Sequence, residues 1–426
     1  MDGETVVVMG WARAVRAVGK LTFIQLADRD GFAQLIIKPK EVPEALAKEL
    51  SAISRETVIA VKGAVKANKE APGGFEILPK EAKILSEAEA PLPMEVVTKK
   101  TPAEFMTRLD ARFVDLRRPE IAAIFKVKDA VTTAVREYLE GNNFIEIHTP
   151  KIIAEASEGG SEVFKVKYYE REAYLAQSPQ FYKQMMMATG FDRVYEIAPA
   201  FRAEKSHTTR HISEILMLDM EMAFINSVDD VMDTVEKMMI SVCSFVVKKE
   251  SKQLKILGRD IVVPKAPFPR ISVEEARKLL AKKGLKYKPD EEIDSAGEKA
   301  LGEYAKEKYN HEFIFLTDFP WAQAKFYHMQ NPKNPKVAER CDLIYNGTEI
   351  ATVTRREHRY AKLIEQAKKG GTTLEKIRFY LNAFRYGMPP HGGCGVGIER
   401  IVQLMLGLPT IQESVLFPRT TERLTP

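Results

Sequence analysis

The sequence predicts an α+β protein, a small N-terminal β-barrel followed by a larger antiparallel sheet flanked by helices. Three observations predict it. Residues 1–88 hold about five short runs of strand formers with one helical stretch among them. A polar, proline-bearing segment then separates them from the rest. Beyond it, helical periodicities alternate with paired strands that carry charge on one face and apolar residues on the other.

In the first part, strands are expected at 6–18, 21–26, 32–37, 58–65 and 75–78, with Asp30-Gly31 as a hairpin turn and a helix at 42–53. A helix inserted before the fourth of five strands is the order of an OB barrel, a fold that commonly binds single-stranded nucleic acid. Phe23 offers a stacking face and Gln34 an amide for base edges, on adjacent strands. Taken alone, a core phenylalanine and a solvated glutamine are the more ordinary reading. The stretch SEAEAPLPMEVVTKKTPAE reads as interdomain, so the expected division is a barrel at 1–88, a linker or hinge at 89–118 and a catalytic domain at 119–426.

The second part opens with an amphipathic helix at 120–140, ended by Gly141-Asn142-Asn143, and a strand at 144–148 closed by Pro150. That unit serves either a core or a subunit interface. Ser157 to Glu162 reads as a glycine-bearing loop whose carboxylates can hold an amine. Ser178 and Pro179 mark a helix start as cap and first residue. Lys183 then lies against the helix macrodipole, so it calls for an anionic partner.

Residues 193–224 form the centre: two antiparallel strands that bring Arg202, Glu204, Arg210, His211, Asp219 and Glu221 to one region. Such a set suits a polyphosphate together with a cationic amine. Asp219 and Glu221 share one strand face, and Leu218, Met220 and Met222 the other. Acids on an otherwise apolar strand are costly unless partnered.

A second strand pair turns at Asn346-Gly347 and carries Glu349 and Thr352, hard oxygen donors suited to Mg²⁺, with Arg356 following. The run Gly392 to Arg400 has neither the dinucleotide nor the Walker pattern; its glycines would let a nucleotide lie on a flat sheet within reach of Arg400. The region 268–308 reads as helical packing without chemistry.

Composition adds exclusions. The chain of 426 residues has a net charge of +5, which permits a nucleic-acid partner without arguing for one. Its 3 cysteines are widely spaced, as packed thiols rather than a zinc or redox pair. No apolar run nears membrane length and no signal sequence opens the chain, so a cytoplasmic protein without membrane contact is expected.

These segments, in this order, resemble the class II aminoacyl-tRNA synthetases. The helix-strand-Pro150 unit looks like their motif 1, Phe201-Arg202-Ala203-Glu204 with its returning strand like motif 2, and Gly395 to Arg400 like motif 3. Gln177-Ser178-Pro179-Gln180 with Lys183, the Glu158-Gly159-Gly160 loop and the C-terminal end are similar to aspartyl-tRNA synthetases of the compact archaeal type. The resemblance implies a homodimer that uses ATP and Mg²⁺ to charge tRNA-Asp with L-aspartate, with tRNA-Asn left open.

It implies roles as well. Arg202, Arg400 and Glu349 would be catalytic, with Glu349 and Thr352 on the metal. Glu204, Arg210, His211, Ile212, Gly397, Ile398 and Glu399 would surround ATP, whose adenine Phe224 and Arg400 would sandwich. Glu158, Gln180 and Asp219 would fix the substrate amine, and Lys183 and Arg356 its side-chain carboxylate; asparagine would then leave desolvated cations without an anion. Phe23, Gln34 and Glu76 would read the anticodon. One departure stands out: where the family usually has Ser-Ser-Gly-Gly-Gln-Arg, this chain has Ala351 to Arg356 with β-branched Val353 and Thr354, which stiffen and fill the backbone there. An RNA-binding paralogue with altered catalysis and an asparaginyl-tRNA synthetase are the alternatives.

Overall fold

The computed structural model describes residues 2–97, 103–155, 162–203 and 210–425, so Glu158 and Glu204 lie outside the described residues. The chain divides into two compact units, Met1–Arg118 and Pro119–Pro426.

The first unit is a closed barrel of β1 (Thr5–Val18), β2 (Leu21–Ala27), β3 (Phe32–Ile37), β4 (Val58–Ala67) and β5 (Phe75–Ser86), in the order β1-β2-β3-β5-β4. Helix α1 (Glu44–Ala52) precedes β4, and Ile24, Leu35, Leu50, Ile59 and Val61 fill the interior. The β2–β3 turn is not a two-residue Asp-Gly turn. The Asp28 carboxylate accepts from the N–H groups of Asp30 and Gly31 at 2.8 and 3.0 Å and organises four residues instead. The stretch expected as linker contains α2 (Phe105–Asp110) and α3 (Arg112–Asp115) and belongs to this unit, where Arg117 pairs with Glu56 at 2.9 Å.

The second unit starts with α4 (Pro119–Gly141), β6 (Ile145–Glu146) and a small sheet of β7 (Ile152–Ile153), β8 (Lys165–Tyr168) and β9 (Arg171–Leu175). Next come α5 (Gln180–Met186), β10 (Arg193–Phe201), β11 (Glu214–Ala223), α6 (Val228–Lys249) and α7 (Ser251–Leu257). Then follow β12 (Arg270–Ser272), α8 (Val273–Lys282), α9 (Ser295–Tyr309), β13 (Phe313–Thr317), β14 (Arg340–Tyr345) and β15 (Thr348–Arg355). The unit ends with α10 (Tyr360–Lys369), α11 (Arg378–Arg385), β16 (His391–Gly397) and α12 (Ile398–Leu406).

Its main sheet runs β12-β13-β14-β15-β16-β11-β10-β6, antiparallel except for the parallel pairs at its two ends. Asn346 and Gly347 both take positive φ, as a two-residue hairpin turn requires. One sheet face packs on α4 and α6: Leu218, Met220, Met222, Ala351, Val353 and Cys394 join Val131, Val135, Val235 and Met239 in the largest core. Alternation sends Met217, Asp219, Thr352, Thr354 and Gly395 to the opposite face. No helix among the described residues is long and apolar enough to cross a membrane.

Val353 and Thr354 do not distort this plan. Both are buried in a regular strand paired on its two sides, where β-branched residues fit well. Glycine is needed instead across from them. A methyl group on Gly393 would overlap the Met220 carbonyl and the Glu221 carboxylate. Gly393→Ala should therefore cost about 3 kcal/mol or more, as read by denaturant unfolding.

Candidate active site

One cavity of about 360 Å³ opens on the face of the sheet away from α4 and α6. It gathers Gln180, Arg202, Arg210, His211, Ile212, Asp219, Glu349, Thr352, Arg356, Gly397, Glu399 and Arg400, most of the residues the sequence singled out.

At one end lies a buried ionic network. Lys183 donates to Asp219 at 2.7 Å and to the Cys394 carbonyl at 2.8 Å, and stands 3.7 Å from Glu221. Arg356 grips Glu221 through two bonds of 2.9 and 3.2 Å. Burial pushes the Glu221 carboxyl up, but Arg356 and Lys183 outweigh it and hold the group below the usual range. The anionic partner expected for Lys183 is thus Asp219. Two expectations change with it. Lys183 sits behind Asp219 and does not line the cavity, and neither cation is left bare when no substrate carboxylate is present.

The adjoining wall is rich in positive charge. Lys325 is enclosed by protein, and that enclosure, with Arg340 and Arg356 nearby, holds its ammonium down to about 8. Burial and the same arginines, with Lys325, keep the buried His328 imidazole neutral.

At the other end Arg202, Arg210 and Arg400 line the cavity, and Arg400, Arg340 and Arg202 act on Glu349. Arg400 donates to the Glu349 carbonyl at 2.9 Å, and the Thr352 hydroxyl to the Glu349 carboxylate at 2.9 Å. Enclosure raises the Glu349 carboxyl, but Arg400, Arg340 and Arg202 reverse the effect and keep it ionised. Asp342 pairs in register with Thr352 and is held by Arg340 at 2.9 Å. Burial, reinforced by Glu349, pushes its carboxyl up to about 7 against the pull of Arg340. Two carboxylates and a hydroxyl, from Asp342, Glu349 and Thr352, form an oxygen set that suits Mg²⁺. The sequence reading passed over Asp342, although its register opposite Thr352 was the available signal.

It also passed over α9. Glu298 accepts from Arg210 at 2.7 Å and from the Glu349 backbone N–H at 3.0 Å, so the region read as plain packing reaches the site.

Some expected contacts are absent. Phe224 is 73% exposed beyond the far end of β11 and does not line the cavity. A strand rises about 3.3 Å per residue, so nine residues carry it roughly 30 Å from Ile215, which does line the cavity near Met217. Ile398 is fully buried in the helical core. Glu399 borders the cavity, but Lys128 at 2.8 Å and the Leu216 N–H at 2.9 Å occupy its two oxygens.

In the barrel, register puts Phe23 opposite Ile36 and Gln25 opposite Gln34, while Leu35 pairs with Ile77. Phe23, Gln25, Gln34 and Glu76 consequently share the outward face, opposite the Leu35 and Ile77 side chains of the core. Gln25 was not anticipated. Glu76 is buried and oriented by Lys38 and Asn68, each at 3.0 Å.

Comparison with known proteins agrees with this geometry. Residues 104–421 match the family described as tRNA synthetases class II (D, K and N), and residues 6–85 the OB-fold nucleic acid binding domain. The chain belongs to the class II aminoacyl-tRNA synthetases. It is 47% identical over 426 residues to the aspartate–tRNA(Asp) ligase of Thermococcus kodakarensis, covering 100% of this chain and 97% of the relative. It is 46% identical over 425 residues to the aspartate–tRNA(Asp/Asn) ligase of Methanopyrus kandleri, with the same coverage. Among solved structures, the asparaginyl-tRNA synthetase of Pyrococcus horikoshii with asparaginyl-adenylate superposes with a TM-score of 0.93 at 31% identity, covering 100% of this synthetase and 97% of that chain. The aspartyl-tRNA synthetase of Entamoeba histolytica gives 0.90 at 31% identity, covering 100% and 90%.

Asp342 supplies a pH test. Its folded pKa of about 7 lies above the unfolded value of 3.8, so the fold holds an extra proton between them and stability falls as pH rises across that interval. Asp342→Asn should flatten this dependence. Melting at about pH 5 and about pH 8 should show a smaller drop for the variant than for the wild type.

Proposed function

We propose that this synthetase is a cytoplasmic aspartate–tRNA ligase. An α-carboxylate oxygen of L-aspartate attacks the α-phosphorus of ATP, forming aspartyl-adenylate as the bond to pyrophosphate breaks. The terminal ribose hydroxyl of tRNA-Asp then attacks the acyl carbon and AMP leaves. The observation that carries the reading is one cavity lined by Arg202, Arg210 and Arg400 at one end and by Gln180, Asp219, Lys325 and Arg356 at the other.

The nucleophile is already an anion, so no protein base is required. Orientation and charge neutralisation by Arg202, Arg210 and Arg400 supply the acceleration. Asp342, Glu349 and Thr352 would hold Mg²⁺, which when bound offsets phosphate charge. Ile215 and Met217, rather than Phe224, offer the apolar contact for the base near Arg400. Gln180 and Asp219 would meet the substrate amine together with Glu158, and Glu204 would face ATP, both glutamates lying outside the described residues. The barrel face of Phe23, Gln25, Gln34 and Glu76 would read the anticodon, and α4 with β6 and Pro150 would form a homodimer contact.

Selection against asparagine rests on potential rather than on a bare cation. Burial first, and then Arg356 and Arg340, depress the charging of Lys325 and His328, with Lys325 adding to the effect on His328. The same field favours a side-chain carboxylate over an amide. Asparagine activation is the second reading, favoured by the likeness to the Pyrococcus horikoshii enzyme.

The test is ATP–pyrophosphate exchange without tRNA. Aspartate should support it, and asparagine, glutamate and lysine should fall at least about 100-fold below it in kcat/KM; exchange with asparagine instead would favour the second reading. Gln34→Ala should reduce tRNA charging about tenfold while exchange stays intact, since the lost contact is on the anticodon side. Equal losses in both assays would contradict that separation.

A further inference from the structure

The contacts of α9 bear on a residue outside the cavity lining. Glu298 is on the first turn of α9, with its side chain 12% exposed, behind Arg210. One carboxylate oxygen serves two partners, the Arg210 guanidinium at 2.7 Å and the Glu349 backbone N–H at 3.0 Å. The Ser295 hydroxyl closes on the same guanidinium. Asp294 caps the helix through the N–H groups of Ala296 and Gly297 at 3.1 and 3.0 Å, which fixes the turn that carries Ser295 and Glu298.

We propose that Glu298 is the positioning residue that fixes Arg210 as an arm of the polyphosphate site and ties it to the strand bearing Glu349. This rests on the nucleotide reading given above. A long arginine next to a hairpin tip would otherwise lose rotamer freedom each time a phosphate bound. Here that ordering is made before the ligand arrives, as preorganised electrostatics demands. The opposite role, a latch that must release Arg210 for ATP to bind, is disfavoured by burial. If Arg210 swung away, the enclosed Glu298 carboxyl, which burial pushes up and Arg210 pulls back, would lose its cation, so the pair stays together while Arg210 lines the cavity.

Glu298→Gln separates charge from structure, because its amide oxygen can still accept from the Glu349 N–H. ATP–pyrophosphate exchange and thermal midpoints are measured for wild type, E298Q, R210A and the double variant. E298Q should raise KM for ATP about tenfold, the worth of one charge-assisted hydrogen bond, and leave KM for aspartate unchanged. In the R210A background E298Q should alter KM for ATP by no more than about twofold, because its effect passes through Arg210. R210A should also lower the midpoint, and adding E298Q should restore it. A latch would show the reverse sign, a lower KM for ATP in E298Q. Additive effects in the double variant, an equal rise in KM for aspartate, or no change in KM for ATP would each overturn the assignment. If the wild type gave no aspartate-dependent exchange, the amino-acid reading would fail separately, and the same cycle read by direct ATP binding would decide the role of Glu298.

Discussion

Four charged side chains at one end of the cavity tie together three elements of the second unit. Lys183, Asp219, Glu221 and Arg356 are all at most 4% exposed and come from α5, β11 and the end of β15. Isolated, each would cost several kcal/mol to bury. Together they sum to zero charge, and their bonds fix three elements against one another. Glu221 occupies the space that a side chain on Gly393 would need, so the glycine run in β16 is partly the complement of this network. Truncating any one member would leave its partner uncompensated, which typically costs about 3 to 5 kcal/mol.

That economy also changes what the pocket can select. A site whose cations are already matched does not penalise a neutral ligand by exposing bare charge. Discrimination must come from the residual field of the surrounding wall, where Arg340 and Lys325 add positive charge and His328 stays neutral. The nucleotide end is arranged differently, with Arg202, Arg210 and Arg400 on its wall and with Asp342 pushed toward neutrality by burial. The two ends therefore present different electrostatic problems on one continuous sheet face.

Much of this was legible in the sequence wherever the relevant pattern is local. The period-two alternation of β11 forecast both its core face and its acids, and the anion that Lys183 demands proves to be Asp219 on that strand rather than a substrate carboxylate. The barrel followed from the order of short strands and one helix. The failures share a cause in distance along the chain. Glu298 meets Glu349 across 51 positions and Arg210 across 88, and no periodicity announces such a meeting. The resemblance put Phe224 on adenine, but strand rise carries it away from the cavity. The β-branched pair Val353 and Thr354 fills the backbone there as expected, but in a strand interior paired on both sides that filling is accommodated.

The turn at Asn346-Gly347 has a wider meaning in this light. Gly302 of α9 packs so closely on the Gly347 backbone that a methyl group at 302 would overlap it, and one at 347 would press on Lys299. Two bare α-carbons thus act as a spacer of nearly zero thickness between helix and hairpin. Glu298 lies one helical turn before Gly302, and Glu349 two residues after Gly347. The seating of backbone on backbone at this point sets the height of the nucleotide end of the cavity, at residues that do not line it.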